Sequence, residues 1–278
     1  MTEQGSTIQL SHLEQTIYFA AQRHGTNLLD ADAVTRVTTV SRPHAVNLLA
    51  SMALKGALYR VGRGRYAVIP PSVLHERKSY VTDPHLVIDE LTRADGIGDR
   101  YYVAYQSAAS IHGAAQQLPF VLQVALPMQH RPVQVGQGRI QFVRIQPQKL
   151  FGFRRMRYQE VPLNVSDREK TLLDCLERFD LCGGVGEVAR TGSTLLEGIQ
   201  TDTLLDYLDR MGNQALTQRL GLILERLSSV QQVDQDLIDG IARRAGLHTY
   251  LLDPHGPTEG PVDGRWRIRE NIEVVGEL

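Results

Sequence analysis

The sequence predicts an α+β protein, with a small helical unit that ends in a β-hairpin followed by a larger mixed α/β domain. Three helical patterns run into a β-rich hairpin in the first quarter of the chain, and strand and helix patterns alternate after it. The length of 278 residues exceeds one typical domain, and a 42% hydrophobic composition is enough for two cores. We therefore divide the chain into residues 1–72, a linker at residues 73–84, and a domain at residues 85–278.

The first three helices are marked by residues that commonly begin or end helices. Ser11 can cap the start of "SHLEQTIYFAAQRHG", and Gly25 can end it. Asp30 can cap a short second helix. Ser41 can cap the third, in which Pro43 occupies the first turn, where its missing N–H costs nothing.

The third helix is expected to have one apolar and one polar face. Val46, Leu49 and Ala53 form the apolar stripe, which we expect to be buried. The polar residues near its start and along its other side are suited to contact phosphates and base edges in a major groove. These candidate DNA-binding residues are Ser41, Arg42, His44, Asn47, Ser51 and Lys55.

A basic hairpin follows the third helix in the stretch "YRVGRGRYAVIP". Two alternating β segments flank a "GRG" turn, and Arg60, Arg63 and Arg65 lie within six residues. Three helices followed by such a hairpin form the winged helix-turn-helix arrangement, in which the arginines would bind DNA phosphates. A solvated surface turn and a protein-binding winged helix are the alternatives.

Charge is distributed unevenly in a chain whose formal net charge is only −1. Residues 127–158 carry +7, whereas residues 159–278 carry −9. The basic segment is a second candidate patch, which would extend the nucleic-acid footprint, meet an acidic protein, or be a solvated sheet face. Its members are Arg131, Arg139, Arg144, Lys149, Arg154, Arg155 and Arg157.

The larger domain is expected to combine a mixed sheet with several helices. Segments within residues 139–165 are predicted to be adjacent strands, and "SDREKTLLDCLERF" to be a helix with a capping box of Ser166 and Glu169. The stretch "CGGVGEVARTGS" is predicted to be a loop between helices. Trp266 is expected to anchor the packing of the last strand.

No cluster of residues with the geometry of an active site is apparent. Asp167, Glu169 and Lys170 superficially resemble the carboxylate–carboxylate–lysine set of restriction-type nucleases, but Glu and Lys are adjacent here and start a helix. The nine histidines do not cluster, and no metal or phosphate-loop motif occurs, so we predict no cofactor, no metal and no enzymatic activity. The absence of a signal peptide or apolar span and the lack of a second cysteine pair beside Cys175 and Cys182 favour a cytoplasmic protein with reduced thiols.

From residue 12 to residue 275 the chain resembles the AbiEi-type antitoxins of type IV toxin–antitoxin systems. The resemblance is carried by the basic hairpin unit, by "YVAYQSAASIHGAAQQLPFVLQVALP" with its Ala-x-x-x-His-Gly core, and by "VPLNVSDREKTLLDCLERFDLCGGVGEV". The segments "QALTQRLGLILERL" and "GRWRIRENI" complete it. The order of these segments is more specific than any one of them.

The resemblance implies a transcriptional regulator and antitoxin. Its winged domain would bind inverted repeats near its own promoter, with two copies sharing an operator, and repress transcription. Its C-terminal domain would counter a nucleotidyltransferase-like toxin without forming a stable complex. A ligand-responsive winged-helix regulator and a nucleic-acid-acting enzyme targeted by its winged helix remain the alternative functions.

Overall fold

The computed structural model describes residues 8–71, 83–115, 121–135, 138–158 and 161–272. Within these ranges the chain has the mixed α+β composition that the sequence predicts. Most of the predicted linker, and residues 116–120 of the segment with the Ala-x-x-x-His-Gly core, lie outside the described residues. No helix in the described ranges is both long and apolar enough to cross a membrane.

Three helices and a small antiparallel sheet form the N-terminal unit. The elements are α1 (His12–His24), β1 (Leu28–Leu29), α2 (Ala31–Val37), α3 (Arg42–Leu54), β2 (Leu58–Gly62) and β3 (Arg65–Val68). The strand order is β1-β3-β2. The side chain of Ser11 caps α1 and that of Asp30 caps α2, as expected, whereas the Ser41 side chain makes no capping hydrogen bond.

The buried face of α3 differs from the predicted one. The helix buries Ala45, Leu49 and Met52, while Val46 is 46% exposed and Ala53 is half-buried. Both sets have helical spacing and share Leu49, so the sequence period alone does not select between them. The contacts of α3 with α2 and β2 rotate the helix so that the Met52 side is inside.

A six-stranded mixed sheet forms the centre of the second part. After α4 (Ile88–Ala94) come β4 (Tyr102–Val103), α5 (Tyr105–Ile111), β5 (Val121–Leu126), β6 (Val133–Val135), β7 (Gly138–Arg144), β8 (Phe153–Tyr158) and β9 (Val161–Ser166). The strand order is β6-β7-β5-β4-β9-β8. The prediction of adjacent strands in residues 139–165 is right for β8 and β9 but wrong for β7, which pairs with β5 and β6.

Helices cover this sheet and complete the core. They are α6 (Arg168–Glu177), α7 (Val185–Leu196), α8 (Thr201–Met211), α9 (Gln214–Leu227) and α10 (Gln235–Ala242), followed by the parallel pair β10 (Tyr250–Leu251) and β11 (Ile268–Arg269). Trp266 is fully buried against Gly221 of α9, where a Cβ would lie 2.0 Å from the indole ring. The predicted role of Trp266 in packing is therefore confirmed.

Two local predictions in this region are wrong. Residues of the predicted loop 182–193 form most of α7, because Gly183 and Gly184 adopt positive φ and make the turn before the helix, while Gly192 packs closely on Leu172. The predicted capping box at α6 is also absent: Ser166 belongs to β9, and Asp167 caps the helix by accepting from the Lys170 N–H at 2.8 Å.

The N-terminal unit packs directly on the second part of the chain. Val61 and Ala67 of the hairpin belong to the same apolar core as Leu122 and Val165 of the large sheet. Glu90 of α4 accepts hydrogen bonds from the backbone N–H groups of Asn27 at 2.7 Å and Leu28 at 2.8 Å. These contacts fix the position of the small unit on α4.

Candidate nucleic-acid interface

The N-terminal end of α3 presents its polar side chains to solvent. Arg42, His44 and Asn47 are exposed, as is Ser41 just before the helix. Arg42 pairs with Asp32 of α2 at 2.5 Å, but the two side chains are 67% and 51% exposed. Exposed ion pairs contribute little to stability, so a phosphate can replace Asp32 at small cost.

The C-terminal end of α3 instead contacts α1. Glu14 of α1 is almost fully buried and accepts from the Ser51 hydroxyl at 2.8 Å and from the Lys55 ammonium at 2.5 Å. Burial raises the pKa of Glu14, but hydrogen bonds from Lys55, Ser11 and Ser51 outweigh burial and lower the pKa to about 2. Ser51 and Lys55 therefore hold α3 to α1.

The hairpin presents Arg63 at its tip. Gly62 and Gly64 flank it with φ of +148° and +73°, backbone conformations that favour glycine. Arg63 is exposed and has no charged partner among the residues that the structure describes. Arg60 is also exposed, and its Nε donates to the Gly62 carbonyl at 3.2 Å.

Arg65 has a different environment from the other two hairpin arginines. Its guanidinium pairs with Asp95, just after α4, at 2.6 Å, and only 27% of the side chain is exposed. The second oxygen of Asp95 contacts His130 Nε2 at 3.1 Å. Arg65 thus links the hairpin to the larger domain, a role that its position in the sequence did not indicate.

The residues of the second basic segment are distributed over distant strands. Arg139 and Arg144 lie on β7, whereas Arg154, Arg155 and Arg157 lie on β8, with three strands between them. At the usual strand spacing this separation is about 19 Å. The segment therefore does not form one continuous row across the sheet.

Several of these cations also have acidic partners within the chain. Lys149 contacts Glu177 at 2.5 Å, and Arg155 contacts Asp89 at 2.9 Å and Asp99 at 3.0 Å. Arg131, Arg139, Arg144, Arg154 and Arg157 are exposed. Pairing reduces the positive charge that the segment can offer to a phosphate backbone.

The three residues considered for a nuclease site have separate structural roles. Asp167 caps α6 and accepts from the Tyr207 hydroxyl at 2.8 Å, and Glu169 accepts from the Gln200 N–H at 2.7 Å. Lys170 is fully buried, where it contacts Asp174 and donates to the Tyr102 hydroxyl at 2.9 Å. The described residues contain no group of three His, Cys, Asp or Glu placed to hold a metal ion, and both cysteines are buried free thiols.

Comparison with known proteins identifies the family of the central segment. Residues 101–226 match the model of the AbiEi antitoxin C-terminal domain. We therefore call residues 101–226, which match this model, the AbiEi domain. The match confirms the resemblance predicted from the sequence, and it spans β4 to α9.

A solved structure has a similar fold over nearly the whole chain. It is described as the crystal structure of RV2827C protein from Mycobacterium tuberculosis, with a TM-score of 0.69 and 14% sequence identity. The alignment covers 96% of this chain and 94% of that one, so the similarity of fold includes both the N-terminal unit and the larger part of the chain. A search of the curated proteins finds no match.

Proposed function

We propose that this chain is a DNA-binding autorepressor and the antitoxin of a type IV toxin–antitoxin system. In this proposal the N-terminal unit acts as a winged helix, with α3 in the major groove and the β2–β3 hairpin on the adjacent backbone. The AbiEi domain provides the antitoxin action against a nucleotidyltransferase-like toxin, without a stable complex. The chain acts by binding and not by catalysis.

One observation carries the DNA-binding part of the proposal. The exposed end of α3 and the tip of the hairpin both present donors, from Asn47 and Arg63, without an acidic side chain bonded to either among the described residues. Amide side chains can read adenine edges, and an arginine at a glycine turn can approach a phosphate. Ser51, Lys55 and Arg65 are bonded to Glu14 and Asp95, so they would hold this surface in position without contacting bases.

The operator is proposed to bind two copies of the chain. A single α3 spans only a few base pairs, and inverted repeats match two protomers related by a two-fold axis. The basic residues of β7 and β8 would contribute at most separate phosphate contacts, since they are far apart in the sheet.

The experiment is fluorescence anisotropy with the duplex just upstream of the coding sequence and a scrambled duplex, at 50 and 200 mM salt. We expect tighter binding to the upstream duplex by about a thousandfold or more, with two protomers bound per duplex. Equal, weak and salt-sensitive binding to both duplexes would contradict sequence-specific repression.

The antitoxin part has a separate readout. Rescue of growth during expression of the cognate toxin should persist in full-length Asn47→Ala, because this substitution lies outside the AbiEi domain. Loss of rescue in parallel with loss of operator binding would place the antidote action in repression alone.

A further inference from the structure

A groove of about 390 Å³ lies where the N-terminal unit meets α4. Its walls are mainly aliphatic and come from α1, β1 and α2, including Ala20, Leu28, Ala33 and Val37. Ala94 at the end of α4 closes the other side. The volume lies within the usual range for sites that bind small molecules, and both parts of the chain contribute to it.

The two carboxylates in the groove wall are already bound to backbone N–H groups. Asp30 accepts from the Ala33 N–H at 2.7 Å to cap α2, and Glu90 accepts from the N–H groups of Asn27 and Leu28. These bonds hold both carboxylates in place and satisfy part of their charge.

The basic groups of the groove are not paired in this way. Arg36 and His24 lie at its rim and are exposed, and neither has an acidic partner among the described residues. Asp32, one turn before Arg36, is paired with Arg42 instead. Arg36 is always charged, so its guanidinium offers a pair of donors that suits a carboxylate.

We propose that this groove binds a small amphipathic carboxylate. The aliphatic walls would hold its apolar body, and Arg36 would bind its carboxylate at the rim, with His24 beside it. This site goes beyond the proposed function, which requires no effector. Because the groove touches both α2 and α4, an occupant contacts the element before α3 and the helix on which the N-terminal unit is packed.

Binding is tested on the full chain without DNA, by calorimetry and thermal unfolding with 4-phenylbutyrate, octanoate, the neutral 4-phenylbutyramide and the cationic 4-phenylbutylamine. We expect saturable binding of at least one carboxylate with a rise in Tm, and at least tenfold weaker binding of the amide and the amine. Equal binding of acid and amide, preferred binding of the amine, or no saturation by any probe would overturn the proposal.

Matched variants locate the site. Arg36→Gln should weaken carboxylate binding at least tenfold and remove the preference over the amide, and Ala33→Phe should block the groove to every probe. Arg23→Gln removes an exposed arginine of α1 that does not line the groove, and should leave binding unchanged. Binding that is unaffected by Arg36→Gln would overturn the proposal even if Ala33→Phe failed to fold.

Operator binding is measured separately on the same samples. A chain that binds the upstream duplex but no carboxylate would contradict the groove proposal alone. A chain that binds a carboxylate but no specific duplex would contradict the repressor proposal alone.

Discussion

The two ends of α3 carry similar polar side chains but have different surroundings. At the first end, His44 and Asn47 are exposed to solvent, whereas at the second Ser51 and Lys55 are bonded to the buried carboxylate of Glu14. Helical spacing places all four near one side of the helix. The difference arises because α1 contacts only the C-terminal end of α3. A polar helix face can therefore contain residues with different roles, and their tertiary partners must be known before a function is assigned to each.

The hairpin repeats this difference over a few residues. Arg63 stands at the exposed tip, while Arg65 is paired with Asp95 and half-covered by the larger domain. A charged side chain with a buried or half-buried partner must break that ion pair before it can bind a phosphate. This cost lowers its net contribution to the free energy of DNA binding.

Stability should change most when the contacts between α1 and the C-terminal end of α3 are removed. Glu14→Ala removes the acceptor for Ser51, Lys55 and the Ser11 N–H, and should lower the free energy of unfolding by about 2–3 kcal/mol. Urea unfolding at pH 7 measures it. Glu14→Gln keeps an acceptor and should lose less. Equal losses in the two variants would show that the carboxylate charge carries the whole effect, and a Glu14→Ala protein as stable as the wild type would contradict the role given to these bonds.

The pH dependence of stability gives a second reading of the same contact. The folded-state pKa of Glu14 is about 2, below its ordinary value of 4.5, so folding favours the carboxylate. Its contribution is fully present above about pH 4.5 and is lost as the pH falls toward 2. Unfolding of wild type and Glu14→Gln between pH 2 and 6 should therefore converge at low pH, and parallel curves would contradict this assignment.

Base discrimination is expected to depend on the exposed end of α3. Asn47→Ala should reduce the preference for the upstream duplex over the scrambled one by about 1–3 kcal/mol, because a bidentate amide contact is lost. Ser51→Ala is the matched control and should leave that preference unchanged. If anisotropy titrations showed a reduced preference in Ser51→Ala and none in Asn47→Ala, the base contacts would lie at the C-terminal end of α3, contrary to the proposal.

The hairpin arginines should differ in the salt dependence of binding. Arg63→Ala should reduce the slope of log K against log salt by about 0.9, one phosphate contact, on either duplex. Arg65→Ala should change the slope less, since its guanidinium is paired with Asp95. Equal slope changes in Arg63→Ala and Arg65→Ala would show that both arginines contact phosphates to the same extent, contrary to this prediction.

The smallest effect is expected from the partner of Arg65. Asp95→Asn releases the guanidinium for a phosphate, and should raise affinity for both duplexes by a few-fold, with the slope steeper by less than about 0.9. Asp99→Asn, which removes an exposed partner of Arg155 instead, is the control and should have no such effect. No change in Asp95→Asn would mean that Arg65 lies outside the DNA surface.

The sequence predicted those features of the fold that depend on residues close together in the chain. Ser11 and Asp30 act as caps because their partners lie within three residues, and Trp266 is large and apolar enough to be buried almost anywhere. The predictions are wrong for Val46, which lies on the exposed side of α3, and for residues 185–193, which form most of α7, because packing against other elements decides both. Glu14 was missed, although Ser11 and Glu14 have the Ser-x-x-Glu spacing of a capping box, which the structure contains.

The candidate site was predicted less completely than the fold. The sequence identified the exposed polar residues at the start of α3 and the arginine at the hairpin tip, but it gave Ser51, Lys55 and Arg65 the same role as Asn47 and Arg63. Glu14 is 37 residues from Ser51 and 41 residues from Lys55, and Asp95 is 30 residues from Arg65. No local pattern in the sequence indicates contacts at these separations. The basic segment 127–158 was continuous in sequence, but the strand order divides it.

Hydrogen exchange of the full chain, with and without the upstream duplex, locates the DNA-binding surface residue by residue. The first turn of α3 begins with N–H groups that lack intrahelical acceptors, and the hairpin tip is exposed, so both should exchange rapidly in the free protein. We expect the duplex to slow exchange at residues 41–47 and 62–64, with little change on β7 and β8. Protection confined to residues 131–157, or to the AbiEi domain, would contradict the assignment of the DNA surface to the N-terminal unit.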